Sequence, residues 1–413
     1  MGYGLTAAHP NDGAEIGRTI ANARRPESRA RVDAIRRPPR AALAACATLL
    51  AVIASSVRAP AADAPQSAAS RPATAPATPA TAPAGGTALP VTDYVYAAAF
   101  SPDSRTLALV TAKQVLLWDV ASRQVDGRLP IEAFSHTICF SPDGKLLAVG
   151  SFGHDVRVFD VQKREVRHAI KLPKRDQEGV SVRGFANNGT QLVTSSDHVR
   201  TWSMATGQLV RTLNRRAGYV NNGAMSADGN QIVIMENDGA LETWIWDLRT
   251  SRRTGRVEPP ADQGPGAYSP GMCVFSPNGR FLIQCDQLGR GFYSFAVPAA
   301  KYVGNLRFAR PVIRFTMSGD GTRLAAGTCE RTGPNSVVVL DAANGARVAE
   351  FGPIDTGILA PLISPDGRHV AAIGLTPERR VPPTVWELPG AAPAPGAAPP
   401  KPAPPKPAPP IAR

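Results

Sequence analysis

Cysteine is scarce, five in 413 residues and no Cys-x-x-Cys pair, which excludes a disulfide-dense mini-protein and offers no zinc-site spacing. Glycine shows no three-residue period and no apolar heptad is sustained, so a collagen helix and a coiled coil are excluded too. Aromatic residues make up 6% and charged residues 19%. The linear signatures of common catalytic sites are also missing: there is no Gly-x-Ser-x-Gly elbow, no phosphate-binding glycine loop and no zinc-binding histidine pair.

What is abundant is proline, and it is unevenly placed. Of 40 prolines, seven fall between Pro60 and Pro90 and eleven between Pro389 and Pro410. Such Ala/Pro-rich stretches favour extended chain over a packed core, so residues 62–86 read as a linker and 389–413 as a disordered, proline-rich spacer. More than half of the net charge of +13 sits in the extensions, with eight Arg against four acids in residues 1–40 and Lys401, Lys406 and Arg413 in the tail. The surplus left on the central region gathers on no single helix, which argues against a nucleic-acid partner.

The N-terminal region has the order positive, apolar, small. Arg36, Arg37 and Arg40 precede the uncharged run Ala41 to Val57, and Ala59-Pro60-Ala61 follows. The run is too short and alanine-rich for a firm membrane span and has the size of a signal-peptide core with an A-x-A cleavage pattern. Forty residues ahead of it is long for a signal peptide, which points either to a later start such as Val32 or to an uncleaved anchor with the arginines in the cytoplasm. Residues 1–61 are thus expected to export the rest of the chain to the periplasm or beyond. Membrane contact is expected only if the segment stays uncleaved.

Between the extensions the sequence repeats itself. An apolar residue followed by a Ser-Pro-Asp-Gly-like turn occurs at Phe100, Phe140, Phe185, Met225, Phe275, Met317 and Ile363, at steps of 40 to 50 residues. Seven positions after each comes another apolar residue, from Leu107 to Val370. Proline presets φ for a type I turn, Asp or Asn suits the next position, and Gly takes the positive φ that closes it, so each copy is a β-hairpin. A third strand then ends in a large apolar residue and usually an acid, as in Trp118-Asp119, Phe159-Asp160 and Trp246-Asp247. Four short strands per unit, seven times over, predict an all-β, seven-bladed β-propeller of four-stranded antiparallel blades over residues 87–388. The last copy meets Pro389 before a fourth strand can form, so Thr87 to Asp93 is expected to supply that strand and close the ring.

Through the Phe-Ser-Pro-Asp-Gly turn and the Trp-Asp ending, residues 90–388 resemble the WD40-repeat family in a divergent, bacterial style. The resemblance implies a protein-interaction scaffold. The family's Gly-His dipeptide and its buried hydrogen-bond network do not carry over, because the six histidines share no phase with the repeat and blades 3, 5 and 6 end their third strands in Trp202-Ser203, Phe295-Ala296 and Leu340-Asp341.

Loops between blades, and between second and third strands, form the face on which propellers mostly bind. On it Lys171, Lys174, Arg175, Arg215, Arg216, Arg307, Arg310, Arg379 and Arg380 form a candidate basic rim suited to an anionic partner, and the long segment Pro259 to Pro270 is a candidate binding loop. Cys273 and Cys285 flank one hairpin; a disulfide there is one reading and buried thiols the other. No cofactor and no metal site is indicated. The expected function is an exported monomer that scaffolds envelope proteins. The alternatives are a lactonase-like or quinoprotein-like propeller enzyme with a channel site, or a binder of anionic glycan.

Overall fold

The seven hairpin turns fold as their sequence demands, and each sets the register of a blade. In blade 2 Ser141 Oγ donates to Asp143 Oδ1 (2.6 Å) and accepts from the amide of Leu146 (2.9 Å), while Asp143 also accepts from the amide of Lys145 (3.1 Å). Gly144 closes the turn at φ 71°. Equivalent serine-carboxyl or serine-amide bonds hold the turns of blades 1, 4, 5, 6 and 7. Blade 3 has Ala186 in place of serine; Asn187 and Asn188 adopt positive φ, and Thr190 Oγ1 donates to the Asn187 carbonyl.

A computed structural model describes residues 85–388, apart from segments 133–134, 154, 173–178, 214–218, 238–240, 259–269, 287–290, 308–310, 329–333, 343, 356–358 and 375–380. The segment expected to direct export, the linker up to residue 84 and the proline-rich tail lie outside the described residues. Among those described there are 28 strands and no helix, arranged as seven four-stranded antiparallel sheets. The innermost strands touch in sequence order, and that of blade 7 (Leu359–Ile363) meets that of blade 1 (Ala97–Phe100), so the blades form a ring.

Both faces of each blade are covered by its neighbours, which is why the middle of the second strands is buried on both faces instead of alternating. Leu146–Ser151 is buried at all six positions. Leu147, Val149 and Phe159 of blade 2 pack against Ala108, Val110, Leu117 and Leu129 of blade 1, whereas Ala148, Val156 and Val158 face Val182, Leu192 and Trp202 of blade 3. Each fully buried Leu or Phe contributes about 1.5–3 kcal/mol, so cohesion is spread evenly around the ring.

Closure uses both chain ends. Thr87–Ala88 forms the outer strand of blade 7, with Thr87 opposite Val385 and Ala88 opposite Thr384, and the Leu89 amide bonds to the Pro383 carbonyl (2.8 Å). The pairing is shorter than the expected Thr87 to Asp93 because Pro90 has no N–H to continue the ladder. The chain then crosses to blade 1, burying Leu89, Val91 and Val95 against Ala371, Ile373 and Val385.

Trp202 Nε1 donates to Thr194 Oγ1 on the neighbouring strand (2.8 Å), while the indole nitrogens of Trp118 and Trp386 are buried with no partner.

Candidate binding site at the channel mouth

The first strand of each blade lines the central channel, and in blades 2 to 6 its register slips near the start. In blade 2 the residue passed over is His136 and in blade 3 it is Arg183. A β-bulge frees a side chain from the ladder and re-aims it, and both residues bridge to the next blade. His136 Nε2 pairs with Ser181 Oγ of blade 3 (3.2 Å) and its ring stacks on Phe152 at 4.1 Å. Arg183 donates to Ser195 Oγ (2.5 Å) and to the Gly223 carbonyl of blade 4 (3.4 Å). Thr137 Oγ1, beside His136, accepts from the Val182 amide (3.0 Å).

These seams are tight. A Cβ on Gly150 would sit 2.4 Å from the Val180 carbonyl oxygen and 2.6 Å from Thr137 Oγ1, so glycine there lets the two blades approach. Burial, helped by the positive charge of Arg183, holds His136 down at about 4, and the ring stays neutral at physiological pH. Its Nδ1 is buried without a partner, so protonation would add a charge with nowhere to place it.

Tyr94 and Tyr96, edge to face at 4.7 Å, lead into the first strand of blade 1 (Ala97–Phe100), and Arg314 lies on the first strand of blade 6 (Val312–Met317). Burial first, and Tyr96 second, push the Tyr94 hydroxyl up to about 12, so it remains a proton donor. Burial also works against the charge of Arg314. The described mouth is therefore basic and aromatic.

None of these residues belongs to the basic rim expected from sequence. Of that rim, Lys171 is exposed at the end of the outer strand of blade 2, opposite Asp155, and Arg307 ends the outer strand of blade 5, opposite Gly291. Lys174, Arg175, Arg215, Arg216, Arg310, Arg379 and Arg380 lie outside the described residues, as does the loop 259–269. The Cys273–Cys285 disulfide is corrected. Cys273 pairs with Gln284, which turns Cys273 and Cys285 to opposite faces of blade 5. Cys273 packs with Phe275 and Phe295, Cys285 with Phe292 and Phe315, and both are thiols. Burial pushes the Cys273 thiol up to about 12, which makes it a poor nucleophile.

The sequence pattern described as WD domain, G-beta repeat matches residues 134–160, which span the first three strands of blade 2. That match, the repeated turn and the ring of seven blades together support a WD40-like propeller family. The chain is a WD40-like β-propeller. The propeller is similar to an uncharacterized WD repeat-containing protein of Synechocystis, 29% identical over 147 residues, covering 34% of this chain and 40% of the relative. Human pre-mRNA-processing factor 17 is 21% identical over 213 residues, 45% of this chain and 33% of its own. The COMPASS component SWD3 of Saccharomyces cerevisiae is 25% identical over 203 residues, 45% and 59% respectively. The WD40-like propeller thus aligns with less than two thirds of each of these relatives' length.

Proposed function

We propose that this propeller is a protein-interaction scaffold that works outside the cytoplasm, in the envelope of a bacterial cell. The observation that carries the scaffold reading is the rigid, seam-bonded channel mouth, where His136 and Arg183 tie blades 2, 3 and 4 together beside a cluster of tyrosine and arginine. Tyr and Arg are the residue types that dominate the energetics of protein interfaces, and holding them rigid lowers the entropy cost of binding. A relative named as a component of COMPASS agrees with a role in an assembly. Export is supported by the arginines before Ala41 to Val57 and the small residues after it. Among the described residues no helix is long and apolar enough to cross a membrane.

The test is affinity capture of the tagged full chain from cross-linked cells, with a variant carrying Ala at Tyr94 and Tyr96 of the mouth, alongside protease accessibility in intact spheroplasts. The expected result is a stoichiometric partner weakened in the variant and a propeller cleaved from outside. Absence of any stoichiometric partner would overturn the scaffold, and protection from protease would overturn the location.

A further inference from the structure

The outer strands of blades 3 and 4 (Leu209–Thr212 and Arg252–Val257) bring three arginines to one seam at the perimeter of the ring. The third strand of blade 4 (Leu241–Asp247) turns Trp244 and Trp246 toward blade 3, where they pack in one cluster with Val199 and Leu213. Arg253 is opposite Trp246 and Arg256 opposite Trp244, so both arginines stand on that same face. Gly255 between them lies against Pro298 and Ala299 of blade 5, as the alternation of a strand requires. Arg211 comes from the other side of the seam. Its Nη1 donates to Ser251 Oγ of blade 4 (2.6 Å) and to the carbonyls of Arg249 (3.1 Å) and Leu248 (3.5 Å). All three arginines are exposed.

Each guanidinium is held where it stands. Arg253 Cζ lies 4.5 Å from the centre of the Trp244 ring and 5.2 Å from that of Trp246, a contact that fixes the side chain without neutralising it. Arg211 is anchored by three neutral oxygens, and among the described residues no carboxylate meets it. Arg256 pairs with Glu242 (3.0 Å), and that carboxylate also accepts from Trp244 Nε1 (3.0 Å). Cations placed in advance lower the entropy cost of binding an anion. Beside Arg211, Val210 is the residue passed over at a bulge and is 47% exposed, so the basic seam has aliphatic surface at one end.

We propose that this outer seam between blades 3 and 4 docks an extended acidic segment of a partner protein. A guanidinium offers a planar, two-pronged donor that matches a carboxylate. Arg253 and Arg256 stand roughly 10 Å apart along the strand, a distance that an extended peptide covers in three residues. Val210 offers a peptide's apolar side chains a contact that the hydroxyls of a glycan would not use, and the indoles on which a sugar ring would stack are covered by Arg253. The bulge that passes over Thr254 breaks the open edge of blade 4, so side chains, and not an added strand's ladder, carry the recognition. The chain's own extensions do not fit the seam, since residues 389–413 contain no acid and residues 62–86 only Asp63. That the ligand is a protein rests on the scaffold reading, to which this adds a docking face apart from the channel mouth.

The experiment is fluorescence polarisation of the full chain with a labelled short peptide in which Glu alternates with Val, its Gln counterpart, and a polyuronate glycan of similar charge. Expected is one saturable site for the Glu peptide, weakening as salt rises, with affinity about tenfold lower in the double variant Arg211→Gln and Arg253→Gln. Val210→Ser should lose a few-fold. Arg167→Gln, exposed on the outer strand of blade 2, should bind like the wild type. So should the Ala variant of Tyr94 and Tyr96, which keeps this seam distinguishable from the mouth. Equal binding of the Gln counterpart, glycan binding as tight as that of the peptide, unchanged affinity in the double variant, or no saturable binding would overturn the proposal and leave the scaffold reading to its own capture experiment. Should the double variant fail to fold, Arg211→Gln decides alone: about threefold weaker binding is expected, and unchanged affinity refutes the seam.

Discussion

Lowering the pH should loosen the ring at one identifiable seam, that between blades 2 and 3. His136 titrates at about 4 in the folded chain against 6.5 for an unperturbed histidine, because burial, and then Arg183, disfavour its charged form. The folded value is depressed, so between pH 6.5 and about 4 the unfolded chain binds a proton that the folded chain refuses. Stability is therefore unaffected above about pH 7 and declines as pH falls through this window. At about 1.36 kcal/mol per unit, the full loss amounts to about 3 kcal/mol by pH 4. The measurement is urea unfolding at pH 7, 6, 5 and 4 for the wild type and for His136→Gln, which keeps an amide near Ser181 and carries no charge. Other groups titrate in both proteins, so the difference between the two curves isolates His136. That difference should be constant near pH 7 and shift against the wild type by about 3 kcal/mol toward pH 4. A difference that stays flat would mean that the imidazole takes its proton normally, and the reasoning from burial and Arg183 would be wrong.

Removing residues 87–93 takes away the outer strand of blade 7 together with buried Leu89 and Val91; a loss of about 3–6 kcal/mol follows from those two side chains alone, seen as a sharply lower melting temperature, and an unchanged melt would sink the closure. In blade 2, Ser141→Ala strands the buried Leu146 amide that its hydroxyl accepts from, at about 1–3 kcal/mol by chemical denaturation, whereas Ala186→Ser in blade 3 should lose no stability because the turn there is held by other groups.

The blades were legible because their signals are local and repeated. Seven turns that vary a common Ser-Pro-Asp-Gly pattern at fixed positions define both the hairpins and their count, and the proline after Leu388 forces the last blade to borrow its outer strand. The channel mouth was not legible for a reason that can be stated. His136 stands four residues before Phe140, Arg183 two before Phe185 and Arg314 three before Met317. The bulge falls four residues before the leading apolar position in blades 2 and 6 but two before it in blade 3, so residues at one end of the channel lose their common phase in sequence. A usable signal remained: a single basic residue inside an otherwise uncharged first strand, which all three share. The rim read from loop arginines had no such constraint, since loop positions say little about which side chains meet. Of the two readings of Cys273 and Cys285, the thiols hold and the disulfide does not, a single-residue matter of register, because a strand alternates its faces and adjacent positions across a hairpin point apart.

The shared blade also governs how the ring responds to load. Gly86 lies against Trp386, and the Leu388 amide bonds to the Arg368 carbonyl beside the Ser364-to-Gly367 turn, so the chain enters and leaves the propeller at one corner, on the side of the repeated turns. Tension between whatever is attached at the two ends would fall on the short pairing of Thr87 and Ala88 with Thr384 and Val385. Because the strands are antiparallel and pulled from the same corner, those bonds would break in succession, as a zip opens, and never bear the force together. The fastening that completes the ring is also its weakest point under traction, and the six other blades are shielded until it yields.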